Sequence, residues 1–299
     1  MHRRLSLPVL AVALVAVAGP VVAAEPQDWQ TWQERQDRDV ARNVSLGGSC
    51  VRCELSGRDL SGATFTAATF TSATLVGANL RGAELVGSNF SSSDFSRADM
   101  RGAEIVGTNF SNSTFTGANM SGIEATGAVF VRANLGSANL SDAELNGANM
   151  NGASLTRSNL SGSEMFGVTL ANVSARNANF SDSEINASNL AGGDFRGASF
   201  RDASLDGARL TGGQFAGADF SDASMNRTDV RGTDLTGVRG LTQEQVGRAC
   251  GDASTRLPRG LTARTCRGIT VRITPPAPPA PPRPAAPPRQ RNFLMITAN

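Results

Sequence analysis

The 299-residue sequence has no tyrosine and no lysine, so all 28 of its basic residues are arginine, and its single histidine is His2. Past His2, then, no His, Lys or Tyr side chain is available as a general base. Serine and aspartate are plentiful, but a serine nucleophile needs a base beside it, and no such pairing stands out. The composition predicts a protein that is not an enzyme and needs no cofactor. Long apolar runs are scarce too. The one candidate lies at the N-terminus, which leaves no transmembrane segment once that stretch is removed.

That stretch reads as a secretory signal over residues 1–24. Arg3 and Arg4 supply a positive start, Leu5 to Val17 an apolar run, and Val22-Ala23-Ala24 the small residues before a cut at Glu25. The protein is therefore expected to be exported, to a periplasmic or extracellular location.

What the sequence does contain is a period. From Leu55 to Leu235, every fifth residue is large and apolar except Ala125 and Ala175. No insertion breaks this register. Two residues before each centre sits a small residue such as Ala63, Ala78 or Ala103, and two after it most often sits glycine. Five matches neither the helical period of 3.6 nor the strand period of 2. It requires a chain that turns a corner every five residues, with one large and one small side chain inward per side. Glycine suits corners with positive φ, and the Asn, Asp and Ser that replace it tolerate turns.

The runs SGANLRGAELVGSNF and GSANLSDAELNGANM resemble the pentapeptide-repeat family, whose pattern is A-(D/N)-L-x-x. The resemblance implies an all-β solenoid: a right-handed quadrilateral parallel β-helix. Here it would have about nine 20-residue coils and short helical caps. Some members of that family resemble duplex DNA and act on DNA gyrase. The expected organisation is a signal peptide (1–24), an N-terminal cap segment (25–52), the β-helix (53–239), a C-terminal cap with a disulfide (240–269) and a Pro-rich, basic, disordered tail (270–299).

Twenty residues per coil makes columns. Phe70, Phe90, Phe110 and Phe130 are expected to stack in the core on one side, Phe180, Phe200 and Phe220 on another, and Phe95 with Phe115 and Phe195 with Phe215 on a third. The two alanine centres predict thin spots, each weaker by about 2–3 kcal/mol than a leucine there. Outside, Glu84, Glu104, Glu124, Glu144, Glu164 and Glu184 recur every 20 residues as an acidic column. Arg81 and Arg101 are placed to neutralise its first members. That leaves Glu124, Glu144, Glu164 and Glu184 as a speculative cation-binding column, against the plainer reading of a solvated face copied by duplication. Asp59, Asn79, Asp99, Asn119, Asn139, Asn159 and Asn179 form a neighbouring column, read as a structural hydrogen-bonding ladder.

The ends carry the cysteines. Cys250 and Cys266 are expected to staple the C-terminal cap, and Cys50 with Cys53 to close a tighter ring. The Cys50–Cys53 spacing also suits redox or metal chemistry, though no histidine lies near. Asp28 to Val44 reads as a helix over the first coil. Thr242, with Gln245 three residues on, reads as the N-cap of a short helix ending near Cys250. Leu241, Val246, Leu257 and Leu261 would then cover the last coil.

Charge divides along the chain. Residues 55–239 hold 13 Arg and 18 acids, and residues 240–299 hold 9 Arg and 2 acids. An acidic body with a basic end bears on partners rather than on fold. The leading expectation is a binding or structural scaffold in the cell envelope whose partner is an unknown protein or envelope polymer, with no nucleic acid expected. The alternatives are a DNA-mimic modulator of a topoisomerase and a cation-binding surface.

Overall fold

The computed structural model describes residues 47–265. The chain divides into two compact units, Met1–Thr265 and Cys266–Asn299, and every described residue belongs to the first. The signal reading at 1–24, the helix at Asp28–Val44, Cys266 and the Pro-rich tail lie outside the described residues.

Each side of the coil is one short extended step. Parallel bridges join each outward residue to the one 20 positions later, from Ser49↔Thr69 through to Asp219↔Arg239. A corner every five residues and a return every 20 make four sides. The backbone bonds repeat with the same rhythm. Leu60 N–H donates to the Asn79 carbonyl at 2.7 Å, and Asn79 N–H donates back to the Arg58 carbonyl at 2.9 Å. The ladder begins at Ser49, four residues before the expected start at Cys53. It continues past 239 with altered spacing, through Asp229↔Cys250, Asp234↔Arg256 and Gly251↔Thr265.

The corners are four-residue turns. Leu60 O accepts from Ala63 N–H at 3.1 Å, and φ is positive at Gly62, the third residue, as in a type II turn. The same position is left-handed at every corner from Arg52 to Gly232, and glycine is not required there. Ala67, Ala187, Arg97, Arg132, Arg157 and Arg227 adopt φ of 54–59°. An inter-coil bond holds them in that conformation: Arg97 N–H donates to the Thr116 carbonyl at 3.0 Å, and Ala187 N–H to the Asp206 carbonyl at 2.9 Å. The sheet bond therefore offsets a left-handed penalty of about 1 kcal/mol per non-glycine corner.

Large residues fill the interior. Phe70, Phe90, Phe110 and Phe130 are fully buried, with parallel neighbours at 4.6, 5.6 and 5.3 Å. Phe180, Phe200 and Phe220 stack at 5.1 Å per step. Phe95 stacks on Phe115 at 4.9 Å and Phe195 on Phe215 at 5.2 Å, and both pairs meet their neighbouring columns edge-on or tilted. This alternation satisfies the ring quadrupoles in both directions.

The thin spots expected at Ala125 and Ala175 are filled locally. The slot two residues before a centre, most often alanine, serine, threonine or glycine, holds Ile123 and Val173, both buried. Large and small have exchanged places within one side. The reverse adjustment occurs at Gly193 and Gly213. A Cβ there would lie 2.4 Å and 2.6 Å from the rings of Phe195 and Phe215, so glycine makes room for rings folding back over the backbone.

Polar residues in the inward small slots are all bonded. Ser93, Thr108, Ser113 and Thr228 donate to the carbonyls of Phe70, Leu85, Phe90 and Leu205 in the preceding coil, at 2.6–2.8 Å. No buried side-chain nitrogen or oxygen among the described residues lacks a partner. A slim core can thus accept hydroxyls at little cost, because each meets a carbonyl of the ladder.

At the C-terminal end the register breaks and helix α1, Gln243–Arg248, takes the place of one side. Thr242 Oγ1 accepts from Gln245 N–H, and Gln245 Oε1 accepts from Thr242 N–H at 2.7 Å, a reciprocal cap. The same Gln245 side chain donates to the carbonyls of Phe220 and Ala223 at 2.8 and 2.9 Å. These carbonyls face the end of the coil, so one residue starts the helix and also satisfies the terminal edge. Val246 and Ala249 are buried, and Leu241 and Leu257 pack partly against the core. Leu261 is half-buried and is not part of that packing.

Three expectations follow for stability, each checked by thermal or denaturant unfolding. Ala187→Gly is expected to raise stability by about 1 kcal/mol by relieving a left-handed residue. Gly162→Ala is expected to lower it by at least as much, because its Cβ would also lie 2.6 Å from the Asp142 carboxylate. Gly213→Ala, at a position with ordinary φ, is expected to cost about 1–3 kcal/mol by overpacking against Phe215. An unchanged midpoint there would mean the ring moves away freely.

Candidate interaction surface

The four sides present four different outward columns, because the residue preceding each centre points to solvent. On the side centred at Leu60, Leu80 and Met100, the column is Asp59, Asn79, Asp99, Asn119, Asn139, Asn159 and Asn179. Side-chain amides donate down this column, each to the preceding coil: Asn79 to Asp59 at 2.8 Å, Asn139 to Asn119 at 3.2 Å, Asn159 to Asn139 at 3.1 Å and Asn179 to Asn159 at 2.9 Å. Each Oδ1 also accepts from the backbone N–H two residues on, as Asn179 does from Ser181 at 3.1 Å. This face is occupied with its own bonding.

The side centred at Leu55, Leu75 and Phe95 carries Asp194, the most heavily paired carboxylate. Arg196 grips it through two bonds of 2.8 Å, and Arg176 reaches it from the preceding coil. The Arg196 hydrogen bond, with help from Arg176, holds its carboxyl well below the usual range against the opposing effect of burial. Elsewhere the pattern repeats. Asp219 pairs with Arg201 at 3.0 Å and Asp229 with Arg231 at 2.7 Å. Asp252, bonded to Ser254, Gly232 N–H and Thr255, is lowered to about 2.

The side centred at Phe65, Leu85 and Ile105 differs. Bridges run Glu84↔Glu104↔Glu124↔Glu144↔Glu164↔Glu184 without interruption, and all but the half-buried Glu104 are exposed. Glu84 accepts from Thr64 Oγ1 at 3.3 Å and Glu164 from Asn146 Nδ2 at 3.4 Å. Among the described residues none of these six glutamates forms an ion pair. The expected neutralisation of Glu104 by Arg101 is replaced by a two-bond pair between Arg101 and Asp99, at 2.8 and 2.6 Å. The reason is geometric. Asp99 and Arg101 straddle the centre Met100 on one side, whereas Glu104 lies around the corner. Arg81 acts on Asp99 as well.

The speculative cation column at Glu124, Glu144, Glu164 and Glu184 does not gather a metal site. Among the described residues no group of three or more His, Cys, Asp or Glu side chains is placed to hold a metal ion. One carboxylate per strand step, about 4.8 Å apart, sets them one above another instead of converging them on a point.

The residue that column arithmetic missed is Phe166. It is 63% exposed, whereas the twelve other phenylalanines of the described residues are fully buried. It follows the centre Met165, so it occupies a corner beside Glu164 instead of a core slot. The signal was present in the sequence: every other phenylalanine from Phe65 to Phe220 sits at a multiple of five.

Cys50 and Cys53 form a disulfide with Cα atoms 5.5 Å apart. Cys50 takes the centre slot one coil below Phe70, Cys53 the small slot below Ala73, and both pack partly against the core. The bridge thus covers the N-terminal end of the described core. Cys250 is not a free thiol, and its expected partner Cys266 lies outside the described residues. A shallow cleft of about 350 Å³ beside α1 is lined by Asp222, Met225, Thr242, Glu244 and Arg248, but Glu244 and Arg248 are already paired at 2.6 Å. No helix among the described residues is long and apolar enough to cross a membrane.

Single-bridge sides, corners every five residues and a 20-residue return define a quadrilateral parallel β-helix. The chain belongs to the pentapeptide repeats family, whose model matches residues 49–85, 73–112, 83–122, 93–132, 126–162, 163–202 and 198–237; the fold of that family is the right-handed quadrilateral β-helix. Among solved structures it is similar to HetL, a pentapeptide repeat protein involved in heterocyst differentiation regulation in the cyanobacterium Nostoc sp. strain PCC 7120. The identity is 26% and the TM-score 0.62, over 76% of this chain and 97% of HetL. It is also similar to QnrB1, a plasmid-mediated fluoroquinolone resistance protein, at 21% identity and TM-score 0.42, over 69% of this chain and 92% of QnrB1. A pentapeptide repeat protein from the Arabidopsis thaliana thylakoid lumen matches at 27% identity and TM-score 0.26, over 38% of this chain and 68% of its own. No curated protein matches the sequence.

The electrostatics of Asp194 give a pH expectation. Its carboxyl is lowered in the folded state, so its stabilisation is complete above the unfolded value of about 3.9 and is lost as pH falls below it toward the folded value. The stability gap between wild type and Asp194→Asn is expected to be constant from pH 5 upward and to narrow below about pH 4. Melts across that range check it. A gap that persists unchanged at the acid end would remove the ion pair as its cause.

Proposed function

We propose that this chain is a non-enzymatic, exported scaffold that binds a protein or polymer partner in the cell envelope. The observation that carries the reading is the regularity of its outward columns. Side chains recur at one-strand intervals on a backbone whose bridges run from coil to coil without a gap between Ser49 and Arg239. A partner that is itself repetitive or extended can meet such a surface at several equivalent points, and linked contacts gain from effective concentration.

Three further observations support it. Pentapeptide-repeat proteins are generally structural or binding proteins, not enzymes. HetL, similar over most of both chains, is described as involved in regulation, a role that fits binding better than turnover. Residues 1–24 have the charged start, apolar run and small-residue cut of a signal, and oxidised cysteines suit an exported protein. In this reading the body is about nine coils, from the ladder between residues 49 and 239. It is closed by short helical caps and by a Cys250–Cys266 bridge.

Expression of the full chain in a bacterium, followed by fractionation and mass measurement, tests the export half. A mature form beginning at Glu25 outside the cytoplasm is expected. Retention in the cytosol with residues 1–24 intact would overturn it. For the binding half, a cross-linking pull-down from envelope extract is expected to enrich one partner reproducibly, and repeated failure to enrich any counts against the scaffold.

A further inference from the structure

Phe166 is the exposed aromatic of the described β-helix, and both its backbone groups are hydrogen-bonded. Its backbone N–H donates to Asn146 Oδ1 at 2.9 Å, and its carbonyl accepts from Gly147 N–H at 2.9 Å. The same corner slot in nearby coils holds Thr126, Asn146 and Asn186, so a polar residue suffices for the fold there. Phe166 and Glu164 flank the centre Met165 and both bond to Asn146, and the strand neighbours of Glu164 are Glu144 and Glu184. These carboxylates have no arginine partner, although arginines neutralise Asp99, Asp194, Asp219 and Asp229 on the other sides.

An apolar ring flanked by uncompensated carboxylates fits one chemistry best: a planar cation that stacks on the ring face while its N–H groups meet carboxylate oxygens. That is an arginine guanidinium. Two other occupants fit poorly. A nucleic acid would bring phosphates against the glutamates. A second copy docked by two-fold symmetry would set two acidic columns face to face.

Spacing narrows the partner further. Same-column carboxylates lie about 4.8 Å apart, so alternate ones are about 9.6 Å apart. A polyproline II segment repeats its edge every three residues, about 9.3 Å. Arginine at every third position would therefore keep step with every second glutamate, and the intervening prolines offer flat apolar faces to Phe166. We propose that the Glu144–Phe166–Glu184 face is a docking surface for an extended, proline-rich segment of a partner protein bearing regularly spaced arginines. The inference rests on the scaffold reading above and specifies its binding face.

The test uses the full mature chain and two labelled twelve-residue peptides, one of four Pro-Pro-Arg repeats and one of four Pro-Pro-Gln repeats, titrated by fluorescence anisotropy. The arginine peptide is expected to bind and the glutamine peptide not. Phe166→Asn, which restores the residue of the flanking coils, is expected to keep the melting temperature and weaken binding at least about five-fold. The triple variant Glu144→Gln, Glu164→Gln, Glu184→Gln is expected to abolish most of the salt dependence of binding. No binding of the arginine peptide, or equal affinity for wild type and Phe166→Asn, overturns the proposal. A partner captured from envelope extract equally well by wild type and Phe166→Asn would overturn this face assignment while leaving the scaffold reading standing.

Discussion

The bond between one coil's corner and the next coil is the constraint on which the rest of this structure depends. In each five-residue step from Arg52 to Gly207, the residue two past the centre is left-handed and donates its N–H to a carbonyl 19 residues on, as Arg97 does to Thr116 and Gly162 to Ser181. That contact fixes the turn, the turn fixes which side chains point inward, and the return after 20 residues fixes what each inward side chain meets. Helices derive their geometry from bonds within the segment. Here every side takes its geometry from the coil above and the coil below. Two consequences follow. Arginine and alanine can occupy corners that in isolation favour glycine. An end, lacking one neighbour, must be closed by other means, and Gln245 and the Cys50–Cys53 bridge supply those means at opposite ends of the described ladder.

Reading the sequence by fives recovers the resemblance to the family, and the four-sided helix follows from that resemblance, because the constraint acts at a fixed interval and leaves the same mark each time. The Phe70 to Phe130 column is visible before any coordinates, since a 20-residue return places like residues in contact. What reads less well is anything decided between slots. Ala125 and Ala175 look like deficits when centres are read alone. The compensation by Ile123 and Val173 is written two residues away, and it emerges only when one side is treated as a single volume. Arg101 illustrates the same limit for charge. In sequence it lies three residues from Glu104 and two from Asp99, and only the corner between them decides that the nearer carboxylate wins.

The outward columns show how one framework separates structural from available polarity. Asparagines are consumed by donating down their own ladder, and most aspartates are consumed by arginines or by the backbone N–H two residues on. Glutamate is one methylene longer than aspartate. Among the outward glutamates only Glu54, which lies on the side of Leu55 and outside the glutamate column, accepts from the backbone two residues on, through Ser56 N–H. From Glu84 to Glu184 the carboxylates form no ion pair, and apart from the long bonds that Glu84 accepts from Thr64 and Glu164 from Asn146 they are left to solvent or a partner. The choice of Glu over Asp at these positions is thus a choice of reach, and reach separates a self-satisfied face from one with unused bonding capacity.

Phe166 gains meaning from this contrast. In a fold whose corners tolerate nearly any polar residue, a phenylalanine there gives up burial and helps no neighbour, since its backbone bonds would serve Asn equally well. The framework does not need it, so its placement is independent of the repeat that explains almost every other apolar residue. It stands on the face whose carboxylates form no ion pair, toward the C-terminal end of the glutamate column, on a ladder that keeps side chains at regular intervals. A surface feature that the folding constraint leaves unexplained, set among the charges that constraint leaves unspent, is where a binding scaffold would be expected to differ from a bare repeat.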